Sequence, residues 1–135
     1  MRHWLVKTDP ETYSWDDFKK EGNTSWDGIR NYAARNHMKA MKKGDWVLIY
    51  HSGGESEIRG LATVTKEYYQ DTTTKDIAWV SVGLKAGKSF KKKVSLELIK
   101  KNIQLKNMLL LKISRLSVMP VEENEFNTIL EMSQV

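Results

Sequence analysis

The chain has 135 residues, 40% of them hydrophobic and 29% charged, a net charge of +5 and no cysteine. The length fits a single domain, residues 1–135, with one core, and the composition is ordinary for a globular protein rather than a disordered one. The lack of cysteine excludes disulfides, thiolate nucleophiles and cysteine-based zinc sites, while the positive balance favours a polyanionic partner, nucleic acid first. Charge alone is equally well explained by a solvated basic surface. No apolar run approaches the roughly 20 residues of a membrane span, and the run that follows Met1-Arg2-His3 is too short for a signal peptide. The expected location is therefore the cytoplasm, or the nucleus in a eukaryote, with no membrane partner and a monomeric state assumed.

In chain order, residues 3–7 read as a first strand closed by Thr8-Asp9-Pro10. Ser14 is a natural N-cap for a helix with Asp16 and Asp17 in its first turn, and Gly22 ends that helix. A loop runs through Trp26-Asp27-Gly28, and residues 31–41 form a second helix stopped by Lys43-Gly44-Asp45. Trp46-Val47-Leu48-Ile49-Tyr50 is a continuous apolar run of strand length, hence a strand buried on both faces. Residues 61–68 and 78–84 are rich in β-branched and aromatic side chains and read as strands. Residues 95–101 suit a short helix, 113–119 a strand, and 122–132 an amphipathic helix built on Phe126, Ile129 and Leu130. This interleaving lacks regular βαβ spacing and predicts an α+β domain around a small, mostly antiparallel barrel.

Several motifs carry no chemistry. Gly87-Lys88-Ser89 resembles the end of a P-loop, but the required upstream glycine position holds Val82; with Lys91-Lys92-Lys93 beside it, a solvated basic turn is the simpler reading. His3, His37 and His51 lack metal-ligand spacing, so neither a metal nor a cofactor is expected. The helix macrodipole already explains the pairs Asp16-Asp17 and Glu122-Glu123. No sequence feature singles out a nucleophile or any other catalytic residue.

Three stretches are informative. The first, from Trp26 to Asn36, packs aromatic, guanidinium and amide side chains into eleven positions. Arg and Asn make forked hydrogen bonds to phosphates and base edges, and Trp and Tyr offer faces for an unpaired base. Asn31 and Arg35, four apart, share a helix face, and Tyr32 and Asn36 share the adjoining one. A core Trp followed by a solvated polar helix is the alternative. The second, Tyr50-His51-Ser52, lines the mouth of a barrel or simply leads the chain out to solvent. The third, Ser114-Arg115-Leu116-Ser117, presents Arg115 and Ser117 together if it is a strand, on either an inner or an outer face.

Taken with Trp4-Leu5-Val6-Lys7-Thr8-Asp9-Pro10 and Tyr13-Ser14-Trp15, these stretches occur in the order found in the EVE domain family and span nearly the whole chain, which therefore resembles that family. Thr8 and Asp9 replace the usual Ser and Glu while keeping hydroxyl and carboxylate. Ala33 and Met119 stand where the family often has Gln, which removes any contact from those side chains. The resemblance implies a PUA-like pseudobarrel with short helices packed around it, related to YTH and SRA domains, that reads modified nucleic acid, with a modified cytosine such as 5-methylcytosine in DNA as the leading target. It implies a base pocket lined by Trp26, Asn31, Tyr50, Ser52 and Ser117, with Lys7, Arg30, Arg35 and Arg115 facing phosphates or the rim. Thr8, Tyr32, Asn36 and His51 are further candidates. Two other readings stay open: an RNA-binding module, and an enzyme acting on a modified nucleoside or small amide, the latter motivated only by Lys7 and His51 near a polar pocket.

Overall fold

The computed structural model describes residues 2–134. Its apolar runs pair at the centre of one sheet. β1 (His3–Thr8) lies parallel to β3 (Trp46–His51), with Lys7 opposite Tyr50 and Thr8 opposite His51. Both strands are apolar on consecutive positions because both faces are covered: Trp4, Leu5, Val6 and Val47 through His51 are all buried. β4 (Glu57–Gln70) and β5 (Val80–Ser95) extend the sheet on one side of β3, followed by β2 (Asn23–Trp26). β6 (Val118–Val121) closes the other side, giving the order β2-β5-β4-β3-β1-β6. Apart from β1–β3, the pairings are antiparallel, and the sheet does not close on itself.

A straight strand of 16 residues, the length of β5, would run about 50 Å, whereas a domain of this size has a radius of gyration of about 14 Å. β4 and β5 must therefore bend. Register shifts at Ile58/Gly60, Gly60/Ala62, Val64/Lys66 and Lys66/Tyr69 supply the bends. The predicted strands at 61–68 and 78–84 are thus the middle and the start of longer ones. Gly87-Lys88-Ser89 and Lys91-Lys92-Lys93, read above as a turn, lie within β5: Ser89 pairs with Gly60 and Val94 with Ile58, residues 90–93 bulge between those pairs, Phe90 and Val94 are buried, and the lysines face solvent. β2 takes in Trp26, expected in a loop; Asn23-Thr24-Ser25 carries no apolar signal, and the strand form comes from pairing with β5.

The helices follow their caps. α1 (Trp15–Glu21) starts at Ser14, whose hydroxyl accepts from the Asp17 amide while Asp17 accepts from the Ser14 amide, and stops at Gly22 with φ +77°. α2 (Tyr32–Ala40) is capped by Asn31, and α3 (Leu96–Lys101) by Ser95. A 3₁₀ turn (Ile103–Leu105) and the short α4 (Leu109–Lys112) precede β6, and α5 (Glu123–Ser133) packs against β5 and that turn. The predicted strand at 113–119 is corrected. Ile113 and Leu116 hydrogen-bond back to Leu109 and Ile113, so Ser114–Ser117 is a turn and the strand begins only at Val118. Arg115 and Ser117 therefore do not share a strand face. No helix among the described residues is long and apolar enough to cross a membrane.

Trp15 fixes α1 on the sheet. Its amide donates to His51 Nε2 at 2.9 Å and its indole to Ser89 Oγ at 2.8 Å, while the ring packs directly against Gly60. A Cβ at residue 60 would sit 2.2 Å from Trp15 Cζ2. Gly60→Ala is therefore expected to destabilise the fold by about 1–3 kcal/mol, seen as a lower urea midpoint with an unchanged slope. An unchanged midpoint would mean the ring moves aside at no cost.

Candidate nucleic-acid interface

A cavity of about 550 Å³ opens where β1 ends and the chain leaves β2. Its walls come from Lys7, Thr8 and Asp9, from Thr12 and Tyr13, and from the stretch Thr24 to Ile29. Trp26 is buried, its ring edge-on to Tyr13 at 6.0 Å and tilted on Phe18 at 5.8 Å, so it forms a rigid apolar wall. The Tyr13 hydroxyl donates to Glu21; burial first, then that carboxylate, pushes its pKa up to about 12 and keeps it a neutral donor. Thr8 Oγ1 donates to the Tyr13 carbonyl at 2.6 Å. Partial burial, with the Asp71 carboxylate nearby, raises the Asp27 carboxyl above its usual range.

Lys7 joins this cavity to a smaller one of about 220 Å³, lined by Tyr50, Ser52, Ser56, Leu110 and Ser114. The Lys7 ammonium donates to the Ser114 carbonyl at 2.7 Å and lies 5.9 Å from the centre of the Tyr50 ring. Burial lowers its pKa and raises that of Tyr50.

The structure thus brings together Lys7, Thr8, Trp26, Tyr50 and Ser52. Ser117 is adjacent through its carbonyl, which accepts the Lys7 amide, and Arg115 is exposed on the same turn. Asn31 stands outside the cavity lining, its side chain occupied by the Ala34 amide. His51 lines a separate cavity of about 410 Å³ with Asp16, Glu55 and Arg59. Its Nε2 accepts the Trp15 amide, and burial together with Arg59 lowers its pKa, so it is a neutral structural acceptor. Lys7 and His51 do not share a cavity.

Arg30, Tyr32 and Arg35 gather elsewhere, beside Trp79 in the β4–β5 connection. The Tyr32 and Trp79 rings are 5.0 Å apart; Arg30 lies 5.7 Å from the Trp79 ring and Arg35 4.9 Å from the Tyr32 ring. Asn36 Oδ1 accepts two bonds from Arg35. Sequence reasoning gave no role to Tyr13, Asp27, Asp71 or Trp79. Tyr13 and Asp27 sat inside motifs already singled out. Asp71 was signalled only by the turn pattern Asp-x-Thr.

Asp71 ties the two regions. Its fully buried carboxylate accepts the Gly28 amide and Arg30 Nη1, each at 2.9 Å, on one oxygen, and the Thr73 amide at 2.7 Å and hydroxyl on the other. Burial by itself would raise its pKa, but the Thr73, Gly28 and Arg30 donors outweigh that and hold it well below the carboxylate range.

Known proteins match along almost the whole chain. The EVE domain family model matches residues 2–132. Human thymocyte nuclear protein 1 is 32% identical over 98% of this chain and 74% of its own length. The crystal structure of the human THYN1 protein in complex with 5-methylcytosine-containing DNA is similar with a TM-score of 0.95 at 31% identity, covering 100% of this chain and 99% of that one. A protein of Agrobacterium tumefaciens gives a TM-score of 0.98 at 36% identity, covering 100% and 94%. The PUA-like, α+β architecture expected from the sequence is the one these neighbours share.

Asp71→Asn is expected to cost about 2–3 kcal/mol at pH 7, the range for disturbing a buried, multiply bonded charge. The folded pKa is depressed, so the contribution is complete above the unfolded value of about 3.9 and is lost as pH falls below it toward the folded one. Denaturant titrations should show the gap between wild type and variant narrowing below about pH 4. A gap independent of pH would show that the charge contributes nothing.

Proposed function

The chain belongs to the EVE domain family, and we propose that it is a reader of modified DNA that holds one modified cytosine, flipped or unpaired, in the Trp26 cavity. The observation that carries this reading is the cavity itself: about 550 Å³, within the roughly 300–1,000 Å³ of small-molecule sites, with aromatic walls and a few convergent polar groups. The likeness to human THYN1, solved with 5-methylcytosine DNA, supports the choice of target.

The chemistry suits a cytosine. Trp26 and Tyr13 give the ring an apolar slot, and Ile29 adds surface for a 5-methyl group. Asp27 accepts from the exocyclic amino group, the feature that separates cytosine from thymine. The Thr24 hydroxyl, on the same face of β2 as Trp26, meets a remaining edge atom, and Lys7 sits at the rim for a phosphate. Extrusion costs a few kcal/mol, and a stacked base returns about 1–3 kcal/mol. One methyl adds only about 1–3 kcal/mol, so discrimination between modified and plain cytosine is modest and rests on shape. The role proposed for the cavity is recognition of a base rather than its turnover.

The test is a fluorescence titration with oligonucleotides carrying 5-methylcytosine, 5-hydroxymethylcytosine or cytosine, as single strands, duplexes and matching RNA, at two salt concentrations. The wild type should prefer a modified DNA. Asp27→Ala should weaken binding roughly tenfold or more while leaving the salt slope unchanged. Trp26→Phe, which preserves packing against Phe18, should reduce the preference. Equal binding of all bases would overturn the reading, and stronger binding of the RNA would move the target to RNA.

A further inference from the structure

The cavity accounts for one nucleotide, yet the most exposed aromatic–cationic feature of the chain lies outside it. Tyr32 is 62% exposed although it opens α2 and its ring lies tilted beside that of Trp79. An aromatic ring left in water at a helix start gains nothing for the fold that a polar residue would not. Here it is instead held in place while staying open to solvent: Arg35 lies 4.9 Å from the Tyr32 ring centre, Arg30 lies 5.7 Å from that of Trp79, and Arg35 Nη1 is anchored on the Ala78 carbonyl at 3.3 Å. The two guanidinium groups differ in charge balance. Arg30 is paired with the buried Asp71 carboxylate at 2.9 Å. Among the described residues Arg35 has no carboxylate partner, only the neutral oxygens of Asn36 and Ala78, so its charge is uncompensated.

We propose that Tyr32, Trp79 and Arg35 form a second subsite that takes the nucleotide next to the bound base, with its ring stacked on Tyr32 and its phosphate on Arg35. The subsite rests on the reading of the Trp26 cavity as a base pocket and deepens it, since it sets the shortest DNA the protein holds at full strength. Three observations converge on a strand of DNA as occupant. Bases stack on tyrosine and on guanidinium planes without regard to sequence. The uncompensated Arg35 and the chain's +5 net charge complement a phosphate. The ledge is continuous with the cavity, because the oxygen of Asp71 that holds Arg30 also holds the amide of Gly28, a cavity residue. Arg30 is then a positioning residue that keeps ledge and pocket in register, and Arg35 is the one that contacts the ligand.

Ligand length is the variable to measure. 5-Methyl-dCMP, the two dinucleotides with 5-methylcytosine on the 5′ or the 3′ side of thymidine, and the same three with plain cytosine are titrated into the wild type, Tyr32→Ala, Tyr32→Phe and Arg35→Gln. In the wild type one of the two dinucleotides should bind roughly five- to a hundredfold more tightly than the mononucleotide, the range one stacked base is worth. Tyr32→Ala should abolish that gain and Tyr32→Phe keep it. Arg35→Gln should lower the salt slope by about one phosphate contact. All variants should keep the modified-to-plain ratio. No gain in the wild type, or the same gain in Tyr32→Ala, overturns the ledge while leaving the base pocket standing. A Tyr32-dependent gain without any preference for the methyl group overturns the base-pocket reading and leaves the ledge as a stacking site.

Discussion

The parallel pairing of β1 and β3 is the constraint on which the rest of the molecule depends. Parallel neighbours cannot be joined by a hairpin, so the chain must cross from the end of β1 back to the start of β3. That crossover carries α1, β2 and the Trp26–Arg30 segment before α2. Because both strands run the same way, they end together, with Thr8 beside His51 and the Ser52 amide donating to the Thr8 carbonyl at 2.9 Å. β6, antiparallel on the far side of β1, begins at this same end, and the Lys7 amide reaches the Ser117 carbonyl there. Three stretches far apart in sequence therefore meet around Lys7 and Thr8.

Placing polar residues where strands end carries a cost, and the structure limits it by giving most buried polar groups fixed partners. Asp45 accepts the Trp4 indole at 3.0 Å and the amides of Arg2 and Lys42; although burial opposes it, these donors hold its pKa down. His51 receives the first amide of α1, and Asp71 receives four donors. Each of these groups is committed to the fold. The polar groups left open to a ligand are a different set: the rim of the Trp26 cavity, and the uncompensated Arg35. Asp71 ties Gly28 of the cavity wall to Arg30.

Charge is spread more widely than the site. Lys85, Lys88, Lys91, Lys92 and Lys93 are exposed along β5, so part of the +5 balance acts as a screened, sequence-blind field. Such a field raises encounter rates and general affinity for a polyanion. A field of this kind does not distinguish one base from another, so selection of a base needs short-range contacts, where a misplaced group is left unpaired.

Local chemistry was legible in the sequence. The cap at Ser14, the stop at Gly22, the doubly buried run at Trp46–Tyr50 and the amphipathic pattern on Phe126 and Ile129 each depend on neighbours within a few residues, and each is found in place. So is the family that orders these motifs. What the sequence could not show depended on contacts far along the chain. Asn23–Trp26 is a strand only because β5 offers an edge, and the lysine run at 91–93 stays within a strand because Ser89 and Val94 on either side of it pair with β4. The run at 113–119 alternates like a strand yet turns, because it must carry α4 into β6 and bury Leu116 on the way. Asn31, equally suited by its chemistry to a base edge or a cap, is used as a cap. The sequence by itself determined which residues were equipped to meet a nucleic acid, since side-chain chemistry is local. Only the tertiary structure decided which of them share a cavity, since that follows from strand direction and register, which are settled between segments tens of residues apart.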